Sequence, residues 1–129
     1  MTNVVLVGFK RSAFTIANKG LLANVRPEDI LSQVINDLIK TTNINKDDIE
    51  DIIAGCAYPE GTQGYNIAKI VSFMTDMPEH VGGMTINRWC GSSMQAIHSA
   101  AGAISMNAGK VFICCGIESM TSVPINGLN

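Results

Sequence analysis

One stretch of the sequence, residues 89–109, contains no Lys, Arg, Asp or Glu. Small and apolar side chains occur on every side of the helix that this stretch predicts. A surface helix has one apolar stripe and a charged opposite face, whereas a helix that is apolar all round is enclosed by protein. Interspersed Ser, Asn, Gln, His and Gly argue against a membrane span. We therefore predict a central helix that is buried on all sides.

Cys90 lies directly before this helix, where a short apolar run ends. Gly91, Ser92 and Ser93 are residues favoured at a helix start. The first amides of a helix lack intrahelical partners, and with the aligned peptide dipoles they favour a thiolate over a thiol. The dipole contributes roughly 0.3–2 kcal/mol, so a further cation or base is needed to ionise an ordinary thiol fully. The position predicts a cysteine prepared for nucleophilic attack.

Apolar runs typical of strands alternate with helical patterns along the whole chain. The predicted strands cover residues 4–8, 52–57, 84–89 and 110–117. The predicted helices begin at Pro27, at Asn66 and after Cys90, and residues 10–24 are predicted to form a loop. This order indicates an α/β fold of right-handed βαβ units on a mostly parallel sheet. Ligands bind beyond the carboxyl ends of such strands, and Cys90 follows one of those ends.

The composition excludes several classes of protein. A chain of 129 residues suffices for one domain with a core, and its net charge of −2 without a basic patch disfavours nucleic acid as a partner. The four cysteines have no metal-type spacing, and with two histidines they predict no metal site. The start of the sequence has no recognisable signal peptide, transit peptide or lipidation motif. A cytoplasmic, reduced protein is therefore expected.

Three cysteines and one histidine have simpler interpretations than catalysis. Cys114 and Cys115 would lie on opposite faces of a strand, where they cannot pair and act as small buried side chains. Cys56 either packs in the core or faces a site from a strand end. His98 is eight residues beyond Cys90, about 12 Å along a helix, whereas a general base needs about 3 Å. We interpret His98 as a core histidine.

Three segments of the sequence resemble thiolases. Residues 87–96, Asn-Arg-Trp-Cys-Gly-Ser-Ser-Met-Gln-Ala, resemble the active-site cysteine loop of that family. Residues 115–120 resemble its Gly-Gly-x-Glu-Ser-Met segment, and residues 64–68 resemble its loop and helix after the second strand. The resemblance runs from Val4 to Pro124. It departs from the family pattern at residues 11–13, where Arg-Thr-Pro is expected, and at Cys115, which replaces a glycine and should crowd the strand end.

The resemblance implies a fold of two similar αβα halves that share a central helical layer. Residues 1–129 would then form an N-terminal thiolase-like domain without its last strand, its loop domain and the C-terminal half. It also implies that Cys90 attacks the 3-keto carbon of a 3-ketoacyl-CoA, forms an acyl-enzyme and releases acetyl-CoA, or catalyses the reverse Claisen condensation. The Cys90 amide would contribute to an oxyanion hole. Coenzyme A would be a substrate, with no permanently bound cofactor.

The resemblance further implies a homodimer or tetramer. The sequence of residues 65–68 and 93–98 is closer to that of thiolases of fatty-acid β-oxidation. A β-oxidation multienzyme partner is therefore left open. The family's histidine, second cysteine and asparagine lie in later segments, so we expect this chain to be inactive alone. Glu118 is interpreted as structural, near the site but not a catalytic acid. No feature of the sequence assigns a role to His80.

Two other functions stay open. One is a non-catalytic thiolase-like module that binds an acyl-CoA or a partner chain, for which exposed apolar surfaces would be the sign. The other is a cysteine redox sensor, against which the absence of resolving-cysteine spacing counts. Downstream Gly-His-Pro and Cys-Gly-Gly segments in the reading frame would distinguish the enzyme from the module.

Overall fold

The computed structural model describes residues 3–128, in which helices and strands alternate. The elements are α1 (Pro27–Thr42), β1 (Ile49–Gly55), α2 (Ile67–Met74), β2 (Gly82–Ile86), α3 (Ser92–Ser105) and β3 (Val111–Gly116). Short 3-10 turns at Lys46–Asp48 and Gly61–Gln63 precede β1 and α2. This order confirms the predicted α/β class. Each helix in the described range is too short or too polar to cross a lipid bilayer.

The three strands form a parallel sheet in which β1 is central. The strand order is β2-β1-β3, and Ile53 of β1 lies between Met84 of β2 and Cys114 of β3. A parallel strand covered on both faces is expected to be apolar throughout, and Ile52, Ile53 and Ala54 are all buried. Because the strands are parallel, their carboxyl ends meet at one edge of the sheet. The residues that follow those ends are therefore brought together.

Helices cover both faces of this sheet. On one face Leu31 of α1 and Val71 of α2 pack with Ile52 in the larger core cluster. On the other face Ala96 and Ala100 of α3 pack with Ile53, the next residue of the same strand. Successive strand residues point to opposite faces, so the two clusters lie on either side of the sheet. The result is the three-layer αβα arrangement that the resemblance implies for one half of the family's fold.

The predicted first strand is not formed. Residues 4–8 have no strand hydrogen bonds, and the side chains of Val5, Leu6 and Val7 are 73–81% exposed. An apolar run becomes a strand only where a neighbouring strand supplies partners for its backbone groups. In the part of the chain that the structure describes, no strand lies beside this run. Residues 10–24 form irregular turns, as predicted.

Helix α3 is buried on one face, not on all sides as predicted. Ser92, Ala96 and Ala100 are buried against the sheet, whereas Met94 is 55% exposed and Ile97 is 40% exposed. A sheet can cover only one face of a helix. Within residues 3–128 no second layer lies over the surface that contains Met94 and Ile97, which we call the outer face of α3. Its lack of charge therefore has no explanation in the packing of these residues alone.

Candidate functional site

Cys90 lies in a turn between the end of β2 and the start of α3. Gly91 caps the helix, and its first helical residue is Ser92. The prediction that the cysteine precedes a helix start is confirmed, and its side chain is exposed. The strand predicted over residues 84–89 ends earlier, at Ile86, because the backbone leaves the sheet at Asn87 and turns.

The turn depends on an unusual backbone conformation at Trp89. Its φ of 51° is in the left-handed region, which costs a residue with a side chain roughly 1–2 kcal/mol. Asn87 Oδ1 accepts the Trp89 N–H at 2.9 Å, and the Gly91 N–H donates to Arg88 O at 3.0 Å. The buried Ser92 hydroxyl accepts the Arg88 N–H at 2.8 Å and donates to Trp89 O at 2.6 Å. These bonds offset the backbone strain.

Two glycines allow the start of α3 to rest on the carboxyl edge of the sheet. A Cβ on Gly55, at the end of β1, would overlap the peptide between Ser92 and Ser93. A Cβ on Gly116, at the end of β3, would overlap the Ser93 hydroxyl. The crowding expected from Cys115 does not arise at this contact, because its side chain lies on the α1/α2 face of the sheet. The helix start is therefore pressed against two strand ends.

The other three cysteines are held as thiols. Burial, with the negative charge of Glu118 beside it, raises the pKa of Cys56 to about 12. Burial, with Cys114 nearby, raises the pKa of Cys115 to about 12, and burial also raises the pKa of Cys114. Cys56 packs in the core, and Cys114 and Cys115 lie on opposite faces, as predicted. Cys90 is the one exposed cysteine of the four.

Glu118 joins the segments that follow β3 and β1. Its Oε2 accepts the Ala57 N–H at 2.7 Å, and its Oε1 accepts from Gln63 Nε2 at 2.9 Å and from the Tyr58 N–H at 3.4 Å. The fully buried Gln63 also donates to Tyr58 O at 2.9 Å and accepts the Ser119 N–H. The structural role predicted for Glu118 is confirmed. The sequence did not predict the role of Gln63 in this network, because its sequence context gives no sign of burial.

Asn87 extends this network to the cysteine turn. Its Nδ2 donates to Ala57 O at 2.9 Å, while its Oδ1 holds the Trp89 N–H. The Tyr58 and Trp89 rings also meet edge to face, with centroids 6.3 Å apart. The segments after β1, β2 and β3 are therefore connected through Glu118, Ala57 and Asn87. No motif in the sequence signalled this role for Asn87.

Both histidines are exposed, and His80 lies before the amino end of β2, whereas Cys90 follows its carboxyl end. His98 is exposed on α3 and not in the core, so our interpretation of it as a core histidine is wrong. The reason is that α3 is covered on one face only. His80 is exposed between α2 and β2.

The arrangement around Cys90 suits attack on a carbonyl group. The thiol is exposed just before the amino end of the 14-residue helix α3. Among residues 3–128, no partner accepts a hydrogen bond from the Cys90 N–H. An exposed thiol and a free amide on one residue can supply a nucleophile and a donor to a developing oxyanion.

Comparison with protein families and known proteins gives a consistent result. Residues 4–128 match the model of the family described as "Thiolase, N-terminal domain". A 3-ketoacyl-CoA thiolase of Psychrobacter sp. is 40% identical over 121 residues, which is 94% of this chain and 31% of that protein. A 3-ketoacyl-CoA thiolase of Colwellia psychrerythraea is 38% identical over 126 residues, which is 97% of this chain and 33% of that protein.

A solved structure is similar over the same region. The crystal structure of the Bacillus anthracis acetyl-CoA acetyltransferase matches with a TM-score of 0.75 and 32% sequence identity. The match covers 81% of this chain and 26% of the solved chain. The present chain thus spans about a third of the length of its sequence relatives and about a quarter of that solved chain.

Proposed function

This chain belongs to the family of the thiolase N-terminal domain, and on that premise we propose that it carries the nucleophile of an acyl transfer from 3-ketoacyl-CoA to coenzyme A. The observation that carries the proposal is the placement of Cys90 at the amino end of α3, with an exposed thiol and with an amide that has no hydrogen-bond partner among residues 3–128. The other three cysteines are unsuited to this role, because burial raises their pKa values.

The proposed reaction begins with attack of the Cys90 thiolate on the 3-keto carbon. The carbonyl oxygen gains negative charge, and the Cys90 N–H donates a hydrogen bond to it. The bond between C2 and C3 then breaks, and its electron pair leaves with C2, which takes up a proton as acetyl-CoA forms. The acyl group stays on Sγ as a thioester until the sulfur of coenzyme A attacks it and releases Cys90. The reverse sequence is a Claisen condensation.

The setting of this reaction is also part of the proposal. The name 3-ketoacyl-CoA thiolase of the sequence relatives supports 3-ketoacyl-CoA as the substrate. The resemblance of residues 65–68 and 93–98 to degradative thiolases favours a role in fatty-acid β-oxidation. Coenzyme A would act as a substrate, in a cytoplasmic homodimer or tetramer that could associate with other β-oxidation enzymes. Residues 1–129 would serve as the N-terminal domain, and the outer face of α3 would be covered by a second half like that of the family's fold.

No complete catalytic site is proposed for the chain by itself. His98 lies eight residues beyond Cys90, about 12 Å along the helix axis and outside direct hydrogen-bonding distance. The steps that require proton transfer therefore lack an assigned base. We expect the 129-residue chain to accept an acyl group slowly on Cys90 but not to turn over 3-ketoacyl-CoA.

Acyl transfer from acetyl-CoA to the purified chain tests the proposal. The expected product carries one acetyl group on Cys90, located by peptide mass spectrometry and removed by hydroxylamine. The Cys90→Ala variant should lose the modification, and the control variant Cys114→Ala should keep it. In urea, where the fold is lost, all four cysteines should react alike. No modification of the folded chain, or equal modification of all four cysteines, would refute the proposal.

The exposed outer face of α3 favours a second candidate function, a non-catalytic module that binds an acyl-CoA or a partner chain. Titration calorimetry with coenzyme A distinguishes this module from the enzyme. Binding without any acetylation of Cys90 by acetyl-CoA would support the module.

A further inference from the structure

The side chain of Asn87 makes two hydrogen bonds, one as an acceptor and one as a donor. Its Oδ1 accepts the Trp89 N–H at 2.9 Å, and its Nδ2 donates to Ala57 O at 2.9 Å. The first bond closes the turn immediately before Cys90, and the second ties that turn to the segment after β1. Asn87 therefore connects the backbone that carries the nucleophile to a different strand.

The turn needs such a support because of the residue at its centre. Trp89 has a φ of 51°, a conformation that glycine adopts freely and that a large side chain disfavours. Asparagine side chains stabilise turns of this kind by accepting the N–H two residues further along the chain. Without that bond, the backbone at Trp89 would gain alternatives, and the Cys90 N–H and Sγ would no longer be held in one direction.

The Nδ2 atom of Asn87 donates to Ala57, a residue whose backbone is itself held by Glu118. Ala57, whose carbonyl accepts from Asn87, also donates its N–H to Glu118 Oε2 at 2.7 Å. Gln63, which is fully buried, donates to Glu118 Oε1 at 2.9 Å. Both backbone groups of Ala57 are thus hydrogen-bonded, so that Asn87 is connected to the segment after β3 as well as to the segment after β1.

We propose that Asn87 is a positioning residue for Cys90, and that Glu118 supports it through the Ala57 backbone. Asn87 does not touch the reacting atoms in this proposal; it fixes the direction of the Cys90 amide and thiol by holding the Trp89 turn. The catalytic consequence rests on the proposed function, whereas the effect on the turn does not. Because Asn87 is exposed, water can replace its side chain, and its loss should loosen the turn without unfolding the domain.

The single tryptophan of the chain makes the turn directly observable. The variants are Asn87→Ala, Asn87→Asp and Glu118→Gln, with Asn36→Ala, an exposed asparagine on α1, as the matched control. Time-resolved fluorescence anisotropy measures the mobility of Trp89, and peptide mass spectrometry measures the rate of Cys90 acetylation by acetyl-CoA. Labelling of Cys56, Cys114 and Cys115 by iodoacetamide reports unfolding.

For Asn87→Ala we expect faster depolarisation of Trp89 and about fivefold slower acetylation of Cys90, the effect of one ordinary hydrogen bond. Asn87→Asp should have a smaller effect on Trp89 depolarisation and on Cys90 acetylation, because its carboxylate can still accept the Trp89 N–H. Glu118→Gln should also speed the depolarisation of Trp89 and slow the acetylation of Cys90, but less than Asn87→Ala does. Asn36→Ala should leave both rates unchanged.

Unchanged anisotropy and acetylation in Asn87→Ala would overturn the inference, as would faster labelling of Cys56, Cys114 and Cys115 than in the unsubstituted chain, which would show a purely structural role. A different result separates the inference from the proposed function. If the unsubstituted chain is not acetylated at all while Asn87→Ala still increases the mobility of Trp89, the proposed function fails and the role of Asn87 in the turn stands.

Discussion

Ser92 packs directly on Gly55, so closely that a Cβ on the glycine would lie 2.8 Å from the Ser92 Cβ. The same Cβ would overlap the peptide that joins Ser92 to Ser93. The amino end of α3 can approach the carboxyl end of β1 only because residue 55 has no side chain. This contact determines how closely the turn that contains Cys90 approaches the carboxyl edge of the sheet.

The first prediction concerns this contact. Gly55→Ala should lower the free energy of unfolding by roughly 1–3 kcal/mol, because rigid backbone atoms of α3 must move to admit the methyl group. Urea denaturation followed by circular dichroism measures the change. The matched control is Gly102→Ala, where an added Cβ meets no atom within 4 Å. That control should raise the free energy of unfolding by about 0.5–1 kcal/mol, since alanine favours a helix. Equal effects of the two variants would contradict the contact.

The second prediction concerns the reactivity of the four cysteines. At pH 7 iodoacetamide should modify Cys90 first, because its side chain is exposed. Cys56 is buried and Cys114 and Cys115 are partly buried, and burial raises the pKa of all three thiols, so these cysteines should react more slowly. Peptide mass spectrometry over a time course gives the four rates. Labelling of any other cysteine as fast as Cys90 would count against the described packing.

The third prediction is a loss of stability at alkaline pH caused by Cys56. Burial and Glu118 raise the pKa of its thiol from 9.0 to about 12 in the folded chain, so that the unfolded chain releases this proton first. The unfolded state then binds fewer protons between these two values, and the free energy of unfolding falls as pH rises through that window. Below pH 9 the contribution is fully present.

The comparison that isolates this effect is between the unsubstituted chain and Cys56→Ala. Urea denaturation at several pH values from 8 to 11 should show a shallower decline for the variant, whatever its stability at pH 8. Parallel curves would mean that Cys56 ionises equally well in the folded and unfolded states.

The fourth prediction concerns the outer face of α3. Met94 and Ile97 are exposed there, in a helix that carries no charged side chain, so the isolated 129-residue chain should self-associate through this surface. Sedimentation velocity should show a concentration-dependent increase in mass. Ile97→Lys should shift the chain toward the monomer, and Asn36→Lys, at an exposed position of α1, should not. A chain that stays monomeric at high concentration, or association unaffected by Ile97→Lys, would contradict this prediction.

Local patterns predicted the elements whose partners are close in the sequence. Helix α1 begins at Pro27 with two acidic residues in its first turn, and both features are readable without a structure. The thiolase resemblance also followed from the residues around Cys90, and the family match confirms it. Both depend on chemistry within a few consecutive residues.

The errors share one physical cause. The strand predicted over residues 4–8, the all-round burial of α3 and the core position of His98 all assumed neighbours that the described residues do not supply. Apolar character shows that a surface can be covered favourably. It does not show which surface covers it.

The sequence by itself determined that a cysteine stands before a helix start within an alternating α/β pattern, because helix starts and strand periodicity are set by neighbouring residues. Only the tertiary structure decided that Asn87, Gln63 and Glu118 meet around the Ala57 backbone. These contacts join residues up to 61 positions apart, such as Ala57 and Glu118. Their meeting point exists because parallel strands bring their carboxyl ends to one edge of the sheet.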